Sequence, residues 1–237
     1  METFLKQNYT IITHGIEFLA VLVGILCLKK YKRTTARYFI YFLIYVFCVD
    51  FIGLYPSMYG KIEWLSVVKN SRFQYNYWLF TIFYILGSIL FFMFYFNKIL
   101  NNKTYKTAVL LIGSISFIIA VFYITFNIDL FFIGFLPLLS VLGCMSILAC
   151  TIFYFIELLQ STKILNFYRL LDFYISIALF FWWLITTPVI FYSVYNSTED
   201  WDFVFLKWQI FMFSNLFMYL TYTVGLIVSK PLLEDHL

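Results

Sequence analysis

Seven long apolar runs constrain this chain more than any other feature of its sequence. Each run has the ~17–25 residues that a helix needs to cross a bilayer. Transmembrane strands would instead show ~10-residue segments of alternating polarity. The runs therefore predict an all-α polytopic membrane protein, a seven-transmembrane-helix bundle. They lie near residues 10–28, 38–55, 77–96, 107–126, 131–154, 173–195 and 207–228.

The composition excludes a soluble globule. Hydrophobic residues make up 63% of the chain and charged residues 12%, against about 45–50% and about 25% in soluble domains. The connecting segments are short, so we expect residues 1–237 to form one membrane domain. The outer loop 56–76 leaves two alternatives open. Ile62, Leu65 and Val68 recur at helical spacing, which fits a short helix on the membrane surface, but an irregular loop fits as well.

Basic residues predict how the chain crosses the membrane. The densest cluster follows the first run and, because cytoplasmic loops carry an excess of lysine and arginine, it places the N-terminus outside and the C-terminus inside. A signal peptide would carry its positive charge before the apolar run, so we expect a retained first helix. We also expect this cluster to contact anionic lipid head groups. It comprises Lys29, Lys30, Lys32, Arg33 and Arg37.

Ionisable residues inside the runs are the candidate functional residues, because each is costly at membrane depth. His14 and Glu17 lie in the first run, Asp50 in the second, and Lys207 and Gln209 open the seventh. With the span boundaries given above, these residues lie at the same depth in the membrane, which predicts an outward-opening polar pocket. Glu17 or Asp50 would pair with Lys207, and His14 would respond to pH. Structural ion pairs without a ligand remain the alternative.

Two prolines are expected to interrupt helices beside this pocket. Pro137 lies in the outer part of the fifth run and Pro188 in the outer part of the sixth. Each removes one backbone donor, and such breaks are tolerated where a cavity or another group satisfies the backbone. In the seventh run, Asn215, Tyr219 and Tyr222 form a polar face that predicts hydrogen bonds between helices.

Motifs for catalysis are missing from the sequence. The chain has two histidines, too few for a histidine-rich metal site, and it lacks HExxH, GxSxG, CxxC and a phosphate-binding glycine loop. We therefore predict no catalytic residues, no metal, no cofactor and no enzyme activity. Nucleic acid is not an expected partner either, since no folded basic surface of sufficient size is available.

The segment Asn76-Tyr77-Trp78-Leu79-Phe80-Thr81-Ile82-Phe83-Tyr84 and the lysine- and asparagine-containing loop from Asn97 to Lys106 carry a resemblance. Together with the aromatic-rich spans, they resemble uncharacterised small seven-helix membrane proteins of Bacteroidetes-type bacteria. The resemblance implies a multi-pass protein of the cell membrane, which in a bacterium would be the inner membrane. It transfers no functional residue.

Three functions remain in competition. The first is a sensor-like or accessory subunit that sits in the lipid bilayer and acts through membrane or cytoplasmic protein partners. The second is a small-solute transporter of the three-plus-one-plus-three helix type, and the third is a lipid-modifying membrane enzyme, which the missing motifs disfavour. Intramembrane polar residues that continued into the inner half would favour transport. Here they stop, apart from Glu157 and Asp172 at the inner edge, which favours the first function.

Overall fold

The protein is built from seven long helices. The structure, a computed structural model, describes residues 2–192 and 201–231, with side chains from Gln7 onward, and this part contains no strand. Each long helix is apolar and long enough to cross a membrane. The predicted all-α seven-span architecture is thus confirmed, and the direction of crossing stays a prediction. The helices are α1 Glu2–Tyr31, α2 Ala36–Gly53, α3 Tyr77–Ile99, α4 Lys103–Phe126, α5 Pro137–Leu159, α6 Leu171–Tyr192 and α7 Trp201–Val228.

Short helical segments occupy three of the connections. Tyr55–Met58 and Leu65–Lys69 lie between α2 and α3, Ile128–Ile133 precedes α5, and Thr162–Arg169 joins α5 to α6. The loop 56–76 therefore combines two short helical segments with irregular backbone, and Trp64 beside the second segment is 69% exposed. We call the end of the bundle that carries the 56–76 connection the loop end, and the opposite end the basic end.

The predicted fifth span, 131–154, is wrong at its start. The helix Ile128–Ile133 ends before Gly134, and α5 begins at Pro137. A proline fits the first position of a helix, because the backbone donor it lacks has no partner there in any case. Pro137 thus begins a helix instead of interrupting one. Pro188 does lie inside α6, as predicted.

The predicted seventh span, 207–228, also begins too late. Helix α7 begins at Trp201, so Lys207 lies almost two turns inside it and does not open it. Asp202 in the first turn suits the positive end of the helix dipole. A span defined only by its apolar residues leaves this acidic first turn out. The shift matters for the site, because it changes the depth assigned to every residue of α7.

Helices α1 and α7 run parallel and in contact along most of their length. The rings of Tyr9 and Trp208 lie 5.8 Å apart near the loop end, and the Tyr31 hydroxyl donates to the carbonyl of Leu226 at 3.1 Å near the basic end. Helix α7 also packs on α6, α6 on α5, and α5 on α3 and α4. Helix α2 contacts α1 and α3, which completes the bundle.

Aromatic side chains fill the centre of the bundle. Phe39 packs edge-on against Tyr222 with ring centroids 4.8 Å apart, and it contacts Tyr95 at 6.2 Å. All three are buried. Outward-facing positions are apolar too, as Phe126 (84% exposed) illustrates. The bundle therefore has a packed aromatic middle with lipid-facing apolar surfaces around it, and polar groups concentrate at its two ends.

Part of the predicted head-group cluster has protein partners. The Lys30 ammonium donates to the carbonyls of Leu226 and Ile227, both at 2.9 Å, at the end of α7. Arg37 donates to the Lys32 carbonyl and to the Tyr38 hydroxyl. Lys30 and Arg37 therefore tie the basic end together, and the exposed members of the cluster are the ones left for lipid or partner contact. These are Lys29, Lys32 and Arg33.

Candidate functional site

A cavity of about 480 Å³ lies in the loop-end half of the bundle. Six of the seven long helices, all except α4, contribute to its walls. Aromatic rings form much of the lining, and polar groups from α1, α2, α6 and α7 interrupt it. The polar and aromatic residues that concern the site are Thr13, His14, Glu17, Asp50, Asn76, Tyr84, Ser140, Trp182, Trp183, Asn215 and Tyr219.

Three ionisable side chains meet on one wall of this cavity. His14 and Glu17 lie one turn apart on α1, and His14 Nδ1 is 3.5 Å from Glu17 Oε2. Asp50 reaches the pair from α2, and its carboxyl group lies close to that of Glu17. One potential ligand atom from each of the three residues lies within 4.8 Å of the others. The residues predicted from α1 and α2 are thus brought together.

Glu17 is the most buried of the three. It lines the cavity with only 2% of the residue exposed, whereas His14 and Asp50 are half-buried. The hydroxyl of Tyr219 on α7 donates to Glu17 Oε1 at 3.2 Å. Helix α7 therefore also holds this carboxylate, so α1, α2 and α7 meet at one group.

A second hydrogen bond organises the wall formed by α6 and α7. The indole nitrogen of Trp182 donates to Asn215 Oδ1 at 2.6 Å. Asn215 and Tyr219 are one turn apart, so the polar face predicted for α7 does bond to neighbouring helices, through these two residues. The Trp182–Asn215 bond therefore joins α6 to α7 at the cavity wall.

Helix α3 widens where it lines the cavity. Residues Phe80–Leu86 form a π-helical stretch, and Tyr84 projects from it into the cavity lining. The Tyr45 hydroxyl on α2 donates to the Phe83 carbonyl at 2.7 Å, which satisfies an acceptor within the stretch. A Cβ at Gly87 would lie 3.1 Å from that hydroxyl, so the missing side chain permits the approach. Such wide turns are frequent at functional sites.

The connection between α2 and α3 closes one side of the site. The Asn76 amide donates to the carbonyl of Gly53 at 2.8 Å, one turn beyond Asp50. This bond satisfies a carbonyl at the end of α2, where helical partners run out. Asn76 thereby fixes the end of α2 that carries Asp50, and it lines the cavity itself.

Lys207 and Gln209 do not join the site. Within the described part of the chain, Lys207 forms no ion pair with Glu17 or Asp50 and does not line the cavity. It precedes Tyr219, the α7 contact of Glu17, by twelve positions, or ~18 Å along a helix. The shared depth assumed from the sequence is therefore wrong for Lys207. Gln209 lines a separate groove between α6 and α7, beside Ile185.

Several residues of the site carry no signal in the sequence. Tyr84, Trp182 and Trp183 lie within apolar runs crowded with aromatic residues, where nothing distinguishes a cavity-lining ring from a lipid-facing one. Ser140 likewise reads as a small packing residue. Asn76 is the exception, because a polar residue at the entry to a span could have suggested a capping role.

The basic end has polar features of its own. A cavity of about 360 Å³ there is lined by Tyr31, Lys98, Lys163 and Asp172, among others. The buried Tyr95 hydroxyl donates to Asp172 Oδ1 at 2.5 Å. Glu157 accepts hydrogen bonds from the backbone amides of Asn101 and Asn102 in the α3–α4 connection.

None of the protein families, curated proteins or solved structures compared with this chain matches it. The geometry of the cavity and its walls is therefore the basis for the function proposed below.

Proposed function

We propose that this integral membrane protein binds a small polar solute in the loop-end cavity and acts as a sensor-like or accessory subunit that contacts a protein partner. The observation that carries the proposal is the meeting of His14, Glu17 and Asp50 on the wall of a 480 Å³ cavity. The role involves no catalysed reaction. The cell membrane is its location, and in a bacterium the inner membrane.

The size and lining of the cavity support binding. Small-molecule sites commonly occupy ~300–1,000 Å³, with apolar and aromatic walls and a few fixed polar groups. Here Trp182, Trp183 and Tyr84 supply flat apolar surface, while Asn215 and the three ionisable residues supply hydrogen-bonding groups. Buried carboxylates are costly unless a partner stabilises them, so a structural role alone gives little reason to place two of them beside an open cavity.

Helices α1 and α7 provide a physical route from the cavity to the basic end. Glu17 and Lys30 lie on one continuous helix, ~20 Å apart along its axis. Tyr219 bonds α7 to Glu17 at the cavity, and Lys30 holds the last carbonyls of α7 at the other end. A solute that shifts α1 against α7 would therefore disturb the basic end, where Lys29, Lys32 and Arg33 are exposed for a partner.

The experiment compares a blocked cavity with an intact one. The full chain is purified in mild detergent, and bound small molecules are identified by mass spectrometry. Thr13→Trp places a large ring at the half-buried cavity wall, whereas Ile11→Trp, two positions away, faces outward at a residue that is 71% exposed. We expect a solute that copurifies with the wild type and with Ile11→Trp and is lost from Thr13→Trp. Equal recovery from both variants would refute binding in the cavity.

A small-solute transporter is the second candidate, because cavities lie at both ends of the bundle. A void of about 30 Å³, lined in part by Tyr84 and Tyr219 of the large cavity, extends toward the aromatic centre. The π-helical stretch of α3 and Pro188 in α6 are irregularities of the kind that helices of transporters use near substrates. Proteoliposomes separate the two functions. A transporter exchanges the copurified solute across the bilayer, and a sensor or accessory subunit does not.

A further inference from the structure

The carboxyl groups of Glu17 and Asp50 face each other in the low-dielectric interior. In the part of the chain that the structure describes, no lysine or arginine forms an ion pair with either of them. Among the described residues, His14 forms an ion pair with Glu17, with Nδ1 and Oε2 3.5 Å apart. Two adjacent carboxylates cannot both remain charged at low cost without a cation, so a proton or a metal ion must neutralise part of the charge.

We propose that His14, Glu17 and Asp50 bind one divalent transition-metal ion, with Zn²⁺ as the best-fitting candidate. This inference rests on the proposed binding function of the cavity, and it names a ligand for it. The site was not expected from the sequence, because one histidine and two carboxylates on different helices form no linear motif.

The distances fit such an ion. Zn²⁺ binds imidazole nitrogen and carboxylate oxygen at ~2.0–2.2 Å, which places two ligands of a tetrahedral site about 3.4 Å apart. His14 Nδ1 and Glu17 Oε2 are 3.5 Å apart, and Asp50 brings a third ligand atom within 4.8 Å of both. To complete a tetrahedral set, the Asp50 oxygen would have to lie about 3.4 Å from the other two ligand atoms.

The chemistry of the ligands selects the class of metal. Imidazole favours Zn²⁺, Fe²⁺, Ni²⁺ and Cu²⁺ over Mg²⁺ and Ca²⁺, which prefer oxygen ligands throughout. Three protein ligands leave a coordination position open, and all three side chains line the 480 Å³ cavity. That position therefore faces the space where water or a solute donor group can bind.

Groups around the ligands also fit a metal site. Ligating carboxylates are commonly held by outer hydrogen bonds, and the Tyr219 hydroxyl already donates to Glu17 Oε1. The donation leaves Oε2, the oxygen that faces His14, as the ligand atom. Tyr84 on α3 also lies near both carboxyl groups. Lys207 lies too far along α7 to compete for the carboxylates.

The first test is direct metal binding to the full chain, purified in mild detergent with a histidine-free tag and treated with a chelator. Titration with Co²⁺ should produce a visible d–d absorption band that saturates at one ion per chain, and Zn²⁺ should displace it. X-ray absorption of the zinc-loaded protein should show nitrogen and oxygen ligands with one imidazole. No saturable binding, or sulfur among the ligands, would overturn the proposal.

Variants then locate the site. Since loss of an outer hydrogen-bonding partner alone costs about 10–100-fold in metal affinity, His14→Gln, Glu17→Gln and Asp50→Asn should each weaken Zn²⁺ binding by at least about 100-fold. Glu63→Gln and Asp129→Asn make the same chemical changes at exposed residues outside the cavity and should leave the affinity unchanged. Equal affinity in all five variants would show adventitious binding and refute the site. Tyr219→Phe, which keeps all three ligands, should weaken binding only about 10–100-fold.

The pH dependence gives a further readout. Protons compete with the metal for His14, Glu17 and Asp50, so Zn²⁺ affinity should fall as the pH is lowered, with protons released on binding. A pH-independent affinity contradicts this ligand set. Failure of metal binding leaves the proposed function testable, because solute recovery from Thr13→Trp and Ile11→Trp does not depend on a metal. Loss of solute binding with intact metal binding refutes only the proposed function.

Discussion

The hydroxyl of Tyr219 on α7 donates a 3.2 Å hydrogen bond to Glu17 Oε1 on α1. The two residues are separated by 202 positions in the chain, and both are buried. This bond joins the first and last transmembrane helices at the depth of the cavity, and it fixes the orientation of the carboxylate that approaches both His14 and Asp50.

Tyr219→Phe should therefore lower stability. The variant removes the donor and leaves a buried carboxyl oxygen without it, at a cost of about 1 kcal/mol in a membrane protein. Tyr222→Phe is the matched control, because Tyr222 lies one turn later, is equally buried, and has no recorded hydrogen bond within the described residues. Thermal unfolding in detergent should show a lower midpoint for Tyr219→Phe than for Tyr222→Phe. Equal midpoints would mean that the bond is not stabilising.

Substitutions of two neighbouring lysines should differ in their effect on protein stability, although each removes the same charge. Lys30 caps the carbonyls of Leu226 and Ile227, whereas Lys29 is exposed. Lys30→Met should cost about 1 kcal/mol, because the last carbonyls of α7 lose a charged donor. Lys29→Met removes the same charge and should leave the thermal midpoint within error of the wild type. A similar loss in both variants would indicate a general charge effect instead of a helix cap.

Glu157 should protect the backbone amides of the short α3–α4 connection from hydrogen exchange. Its carboxylate accepts bonds of 2.8–3.0 Å from the amides of Asn101 and Asn102. Glu157→Gln replaces one acceptor oxygen with a donor that faces these amides, so their hydrogen exchange should accelerate about tenfold. Hydrogen–deuterium exchange mass spectrometry measures the peptide covering 97–106. Asp129→Asn serves as the control, and unchanged exchange in Glu157→Gln would contradict the assignment.

The predicted crossing direction can be tested by cysteine labelling in intact cells. The four native cysteines, Cys27, Cys48, Cys144 and Cys150, lie within the long helices, so the wild type gives the background. With the N-terminus outside, Glu63→Cys should react with a membrane-impermeant maleimide, and Thr162→Cys should react only after the membrane is permeabilised. The reverse labelling pattern would show that the topology is opposite to the predicted one and that the cavity opens on the cytoplasmic side.

Much of the site could be predicted from the sequence, and the errors in that prediction have one cause. Costly ionisable residues within apolar runs pointed to His14, Glu17 and Asp50, which do line one cavity. The same reasoning included Lys207, because the helix start was taken from hydropathy. Helix α7 begins earlier, at Trp201, since an amphipathic first turn with Asp202 still forms a helix. Helix ends depend on local polar residues that an apolar run does not record.

The sequence by itself determined the class, the number of helices and the residues that are expensive in a membrane. These follow from the composition and from the length of each run, both of which are local properties. Only the tertiary structure decided which polar groups meet. Glu17 lies close to Asp50 and accepts a hydrogen bond from Tyr219, and Trp182 donates one to Asn215, because packing sets how far each helix is rotated and shifted against its neighbours. Apolar helices carry little amphipathic pattern that could reveal that rotation in advance.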